Sequence, residues 1–246
     1  MKKVNHYVIR GEIELLSGMR IGGSDDVLQI GGTDLTCIRD PVTGRPYIPG
    51  SSLKGKMRCS LEKALGRYYR AKSERDKRFE GREPCNCAAQ DCPVCRMFGP
   101  HKAPDHSLGP SRIIVRDAPL IADSFAIENK SSTAIDRSTG TALGGALRTE
   151  ERVAPGAKFR LEIGVQEFDI DKDFTYTDAH EKAVKGADAL LEVVCHCLDL
   201  IEQTGIGAGT GKGYGQVRIE IEREQKLGRR DRRGGTSPGP SGEPQT

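Results

Sequence analysis

Six stretches of regular hydrophobic spacing follow one another in a fixed order along this chain, and that order narrows the fold more than any other feature. Residues 7–16 alternate as a strand around Val8, Ile13 and Leu15. From Ser51 onward, Leu53, Met57, Leu61, Leu65 and Tyr68 recur at helical spacing, with serine as the N-cap, predicting a helix of about five turns. Residues 111–117 read as a strand, and so do residues 158–168, where Phe159, Leu161, Ile163 and Val165 alternate strictly. Residues 178–204 carry Ala183, Ala187, Leu190, Leu191, Val194, Leu198 and Ile201 on one helical face and stop at Gly205. Val217, Ile219 and Ile221 then alternate with polar residues as a last strand.

Strand, helix, strand, strand, helix, strand is the βαββαβ order, which predicts an α+β, ferredoxin-like (RRM-like) core. Three connections, 17–50, 73–110 and 122–157, exceed the roughly 12–15 residues of a mere linker and are expected to be functional insertions. The predicted domain is 1–224. Residues 225–246 hold much Gly, Pro and Ser with few apolar residues, and are expected to form a disordered basic tail.

Charge is concentrated. Residues 51–82 contain eleven Lys or Arg against four Asp or Glu, and the tail holds five basic residues against two acidic, while the net over the whole chain is only +3. A defined basic face of this kind fits a polyanion. Lys54, Lys56 and Arg58 lie in the first turns of the predicted helix, where cations oppose the helix dipole. An external phosphate would account for them, because a helix N-terminus also presents unpaired N–H groups. A run of about 18 apolar residues and a charged-then-apolar signal segment are both missing from the sequence, so a cytoplasmic protein with no membrane partner is expected.

In "CNCAAQDCPVC", Cys85, Cys87, Cys92 and Cys95 place four thiols within eleven residues, close to ideal for a structural tetrahedral Zn2+. Disulfides are the rival reading, and a reducing cytosol argues against them. His101 or His106 is an alternative to one thiol. Cys37, Cys59, Cys195 and Cys197 read as packing residues or free thiols.

"GIGAGTGKGYGQV", residues 205–217, opens a strand, unlike a Rossmann loop, and lacks the G-K-S/T of a phosphate loop. Its glycines permit close backbone approach, and Lys212 and Tyr214 offer a charge and a stacking face. Asp25, Asp26, Asp34 and Asp40 occupy the glycine-rich loop leading into the basic helix, where aspartate serves turns as readily as it holds a divalent ion or accepts a proton.

"GMRIGGSDDVLQIGGTDLTCIRDPVTGRPYIPGSSLKGKMR", "IENKSSTAIDRSTGTALGGALRTEERVAPGAKF" and "GAGTGKGYGQV" together resemble the repeated backbone subunit of type III-A CRISPR (Csm) effector complexes, within the RAMP superfamily, over roughly residues 5–223. The resemblance implies a filament subunit that stacks with copies of itself along a guide RNA, beside other subunits of the complex. Its helix opening S-S-L-K-G-K-x-R implies a grip on the guide backbone by Ser51, Ser52, Lys54, Lys56 and Arg58. Its glycine-rich loop implies RNA near Gly209, Gly211, Lys212, Gly213 and Tyr214, and its thumb hairpin implies contacts from Asn129, Arg137 and Arg148.

The family's catalytic aspartate, in the loop before D-P-x-T, matches Asp34. The implied activity is cleavage of complementary target RNA at regular intervals, one cut per subunit, with Mg2+ or Mn2+ and the ribose 2′-OH as attacking group. The rival is an RNA-binding scaffold that cuts nothing. A guide-processing nuclease of the same superfamily generally relies on a histidine, and His6 and His180 stand in no motif. The cysteine insertion and the basic tail depart from short family members.

Overall fold

The computed structural model describes residues 1–22, 35–71, 77–78, 80–121, 125–177 and 181–226. The centre is a four-stranded antiparallel sheet of β1 (Lys3–Leu15), β3 (Ile113–Val115), β7 (Lys158–Phe168) and β10 (Val217–Lys226), in the order β10-β1-β7-β3. Register follows the alternation in the sequence: Ile13 faces Phe159 on one side and Ile219 on the other, and Ile113 faces Val165. Gly11 lets β1 and β10 close up, since a Cβ there would stand 2.1 Å from the Glu220 carbonyl oxygen.

Helices α1 (Gly50–Leu65) and α3 (Gly186–Thr204) pack on each other and on this sheet. Leu53, Met57 and Leu61 from α1 and Leu190, Val194, Leu198 and Ile201 from α3 meet Phe159, Leu161, Ile163 and Val165 from β7, all buried. Each such side chain contributes about 1.5–3 kcal/mol on leaving water. Cys197 is buried among them as a packing thiol, and burial pushes its ionisation above the ordinary thiol range.

Three predicted boundaries differ from the structure. The α1 helix ends at Leu65, because Gly66 turns the chain into the left-handed region at φ 62°. The strand expected over 111–117 is the three-residue β3, after which β4 (Ala118–Pro119) pairs with β2 (Tyr47–Ile48). The helix expected from residue 178 begins only at Gly186, whose φ of +62° interrupts the helical path. Ala183 therefore belongs to β9 (Ala183–Lys185), paired with β8 (Thr175–Thr177) in a hairpin. The remaining elements are the six-residue α2 (Pro93–Phe98) and a hairpin of β5 (Ile127–Ser132) with β6 (Arg148–Val153). Among the described residues, no helix is long and apolar enough to cross a membrane.

One buried ionic cluster ties these pieces together. Asp171, in the single 3-10 turn after β7, accepts from Arg96 of α2 (2.6 Å) and from Nε and Nη2 of Arg112 just before β3 (2.9 and 2.8 Å). It also takes the Phe168 backbone N–H at 2.9 Å. All three charged side chains are essentially inaccessible to water. The guanidinium of Arg112 lies over Phe168 and that of Arg96 over Phe174, at 4.9 and 4.8 Å from the ring centroids. Burial alone would raise the Asp171 carboxyl, but the Arg112 bonds and charge, the Phe168 N–H and Arg96 together hold it below the usual range.

Removing one partner from a buried ion cluster leaves the other charges desolvated, at a cost of about 3–5 kcal/mol. Asp171→Asn is expected to lower stability in urea by that amount near neutral pH. Because the folded-state carboxyl is depressed, its contribution is present above the unfolded value of about 3.9 and is lost as pH falls through the folded one. The gap between wild type and Asp171→Asn should therefore shrink in acid; a gap constant from pH 7 to pH 3 would refute the ionic account.

Candidate functional site

The N-terminus of α1 finds its anion inside the protein. Gly50 donates its backbone N–H to Asp117 Oδ1 at 2.7 Å, so a carboxylate just beyond β3 meets the positive end of the dipole. Position 50 must be glycine, because a Cβ would lie 2.4 Å from the Val115 carbonyl oxygen. Neither serine caps the helix; Pro49 stands at the N-cap, and Ser51 and Ser52 are exposed.

The cations divide. Lys54 Nζ donates to the Ile113 carbonyl oxygen (3.1 Å) and Ser111 Oγ (3.4 Å), and burial, then the charge of Arg58, lowers its pKa. Arg58 reaches Glu62 (Nε, 2.9 Å) and the Cys85 carbonyl oxygen (Nη2, 3.1 Å). Two of the three cations expected to face an external phosphate thus have partners in the fold. Lys56 is half-buried, and burial lowers its pKa too.

Asp34, with Asp25 and Asp26, lies outside the described residues. Leu35 and the residues after it are held against β6. Glu151 N–H donates to the Leu35 carbonyl oxygen (2.9 Å), and the Glu151 carboxylate accepts Cys37 N–H (2.8 Å) and Arg39 Nη2 (2.5 Å). Burial pushes the Cys37 thiol up to about 11, so it packs rather than reacts. Asp40 is a turn residue: its Oδ1 accepts the N–H groups of Val42 and Thr43 and the Thr43 hydroxyl.

Residues 18–20 close the same region from the other side. Met19 and Val153 exchange backbone hydrogen bonds (2.9 and 2.8 Å), Ala208 N–H donates to Arg20 O (2.8 Å), and Gly215 N–H donates to Gly18 O (3.0 Å). Segments from all three sequence motifs thereby converge on the inner half of β6.

Tyr214 sits beneath this junction, only 4% exposed. The cationic groups of Arg152, Lys130 and Lys212 lie 4.4, 5.0 and 6.0 Å from its ring centroid. Arg152 pairs with Glu128, and Lys212 lies 3.6 Å from the buried Glu150. The stacking face expected of Tyr214 is thus not offered to solvent; the ring supports three cations instead. Among the loop glycines, a Cβ at Gly209 would strike the Tyr214 ring (2.6 Å) and one at Gly215 the Ile206 carbonyl oxygen (1.8 Å), whereas positions 211 and 213 face open space. Asn129, Arg137 and Arg148 are exposed on the β5–β6 hairpin, Arg137 at its tip within a turn held by Asp136.

The four cysteines meet as expected. Their Sγ atoms lie within 4.8 Å of one another, and those of Cys85, Cys87 and Cys95 are 3.6–3.7 Å apart. A tetrahedral ion with bonds of about 2.3 Å to sulfur needs edges of about 3.8 Å, so the donor set fits zinc. Histidine is not part of the cluster among the described residues, and His101 instead lies 3.2 Å from Glu83.

Asp117, Glu151 and Asp171 escaped the sequence reading. Each acts on a residue far away in the chain, and no local spacing marks such a role.

The RAMP superfamily family model matches residues 12–218. A protein named CRISPR system Cms endoribonuclease Csm3 from Methanocaldococcus jannaschii is 42% identical over 164 residues, covering 63% of this chain and 61% of its own length. The chain thus matches about three-fifths of that relative. One of the same name from Methanothermobacter thermautotrophicus is 38% identical over 193 residues, covering 70% and 73%. Among solved structures, a Csm3–Csm4 subcomplex of the type III-A CRISPR-Cas interference complex superposes with a TM-score of 0.51 at 25% identity, covering 90% of this chain and 79% of that one. The type III-B Cmr-beta complex bound to cognate target RNA shares the fold, with a TM-score of 0.53 at 18% identity, covering 91% and 61%.

Two glycine substitutions probe the loop. Gly215→Ala, at φ +65° with no room for a Cβ, is expected to cost about 2 kcal/mol or more, and Gly211→Ala less than about 0.5 kcal/mol. Thermal unfolding of the two variants checks this; equal melting temperatures would show that the loop does not pack as described.

Proposed function

Since this chain belongs to the RAMP superfamily, we propose that it is an RNA-binding subunit and endoribonuclease of a type III CRISPR interference complex, cutting target RNA paired to a guide. The core is read as a ferredoxin-like βαββαβ unit spanning residues 1–224, with the β5–β6 hairpin as a thumb. Copies stack along the guide in the cytoplasm beside other subunits of the complex, one catalytic Asp34 per copy, so cuts fall at regular intervals. One observation carries this reading: segments of three separate motifs meet at β6, and the residue after Asp34 is pinned there, beside Lys212 and the cations on Tyr214.

In this reading Asp34 orients the ribose 2′-OH or takes its proton. The 2′-oxygen bonds to the adjacent phosphorus and the bond from phosphorus to the 5′-oxygen of the next nucleotide breaks, that oxygen taking a proton from water, which yields a 2′,3′-cyclic phosphate and a 5′-hydroxyl. Mg2+ or Mn2+, when bound, would neutralise charge developing on the phosphoryl oxygens. Cys85, Cys87, Cys92 and Cys95 would hold a structural Zn2+ that leaves no coordination position for water.

Ser51, Ser52 and Lys56 are assigned the direct grip on the guide backbone, since Lys54 and Arg58 have partners within the fold. Asn129, Arg137 and Arg148 act from the thumb, and Gly209, Gly211, Lys212 and Gly213 from the loop. Base pairing supplies sequence specificity, and the protein reads the backbone.

The test compares wild type with Asp34→Ala in the assembled complex, given guide, Mg2+ and labelled complementary RNA. A ladder of evenly spaced fragments from wild type, with intact but bound RNA from the variant, is expected. If both cut alike, or both bind and neither cuts, Asp34 is a loop residue and the chain a scaffold. Separately, Lys56→Ala should weaken guide binding for any sequence and reduce the slope of log affinity against log salt by about one. An unchanged slope would remove Lys56 from the backbone contacts.

A further inference from the structure

The thiol cluster and the basic helix meet at one peptide unit. Glu62 Oε1 accepts the Cys85 backbone N–H at 2.8 Å and Arg58 Nε at 2.9 Å, while Arg58 Nη2 donates to the Cys85 carbonyl oxygen at 3.1 Å. Both polar ends of Cys85 are therefore held by one ion pair on one turn of α1, with side chains only 18% and 8% exposed. Beyond the helix the same two segments are stitched again. Tyr69 N–H donates to Glu83 O (3.1 Å), and Asn86 takes Arg70 N–H (2.9 Å) and returns a bond to Arg70 O (3.0 Å). Arg58 and Glu62 follow Lys56 by two and six residues, and Ser51 by seven and eleven, on the same helix.

We infer that metal loading at Cys85, Cys87, Cys92 and Cys95 and guide-RNA binding at the N-terminal face of α1 are energetically coupled through the Glu62–Arg58 clamp on the Cys85 peptide. The inference rests on the reading above for both the Zn2+ and the RNA. Without an ion, four sulfurs within 4.8 Å of one another have no common centre to hold them, and their relaxation would pull on the clamp. With the ion in place, the Cys85 peptide is fixed and holds α1 where Lys56 and the serines meet phosphate. Glu62 is a positioning residue here, since it touches neither ligand's reacting atoms. Coupling of this kind is reciprocal: whatever zinc does for RNA affinity, RNA does for zinc affinity.

Zinc release measures it without any cleavage. The full chain is mixed with a chromophoric chelator, with and without a guide-length RNA whose binding is followed by fluorescence anisotropy. RNA is expected to slow zinc transfer about fivefold or more in wild type, and less than about twofold in Glu62→Gln, an isosteric change that removes the charge holding Arg58. Glu62→Asp, which is too short to bridge to Cys85, serves as the second variant if Glu62→Gln does not fold. RNA that binds yet leaves zinc transfer unchanged would overturn the coupling alone. A slowing that persists in the Glu62 variants would overturn it too, because RNA would then merely shield the ion. A purified chain holding no zinc, or binding no RNA, would overturn the underlying reading and the coupling with it.

Discussion

A carboxylate with no access to water holds two arginines from distant parts of the chain, and the arrangement of the insertions depends on it. Asp171 joins the turn after β7, the approach to β3 and helix α2. Such clusters gain little over a well-packed apolar substitute, but they are costly to leave half-made, so they favour one arrangement of the segments over near alternatives. Gln90 completes the set by accepting Arg96 Nη2 through both its backbone and side-chain oxygens, at 2.6 and 3.1 Å. The cysteine segment is thereby anchored at both ends, at Cys85 by α1 and at Arg96 by the core. It is a structural part of the fold rather than an appendage.

The glycine-rich loop shows the same economy. Gly205, Gly207, Gly209 and Gly215 all have positive φ, and a Cβ at each would strike backbone or the Tyr214 ring. These glycines let the chain pack against its own residues 18–20 and Tyr214. That leaves Gly211 and Gly213 as the open surface of the loop, with Lys212 between them. The loop is a tight corner that brings one cation to the junction, and its glycine content is explained by packing before any ligand is considered.

Which parts were legible in the sequence follows from the range of the forces involved. Strict alternation at Phe159, Leu161, Ile163 and Val165, and helical spacing at Leu190, Val194, Leu198 and Ile201, record burial on one face, and these elements stand as read. The four cysteines were legible because thiols that could share one ion stand at a short, local spacing. Where α3 begins was not, because the apolar spacing runs on through Ala183 and only the conformation of Gly186 breaks it. The cap on α1 comes from Asp117, sixty-seven positions away, and the burial of Tyr214 depends on Arg152, so neither leaves a local trace. Residues expected to bind RNA by charge alone were the least secure, since a basic residue looks the same in sequence whether it meets a phosphate or, like Arg58, a carbonyl.

The far face of the sheet bears on how RNA would be read. Arg10 and Arg116 share Glu162 (3.2 and 3.1 Å), Lys158 pairs with Glu12 (3.5 Å) and Arg218 with Glu14 (3.8 Å). A sheet that binds single strands across its face offers aromatic rings for bases to stack on. Here the outward positions of β1, β7 and β10 between residues 10 and 14 and their cross-strand partners hold charge instead, and the charges are largely matched. Such a face has neither stacking surface nor surplus positive potential. Cations stacked on Tyr214 and open glycines gather at the end of the sheet instead, where β6, the loop at Gly211–Gly213 and the residues after Asp34 come together. A protein with few aromatics and its cations placed in this way is suited to tracking a phosphate backbone rather than to stacking on bases.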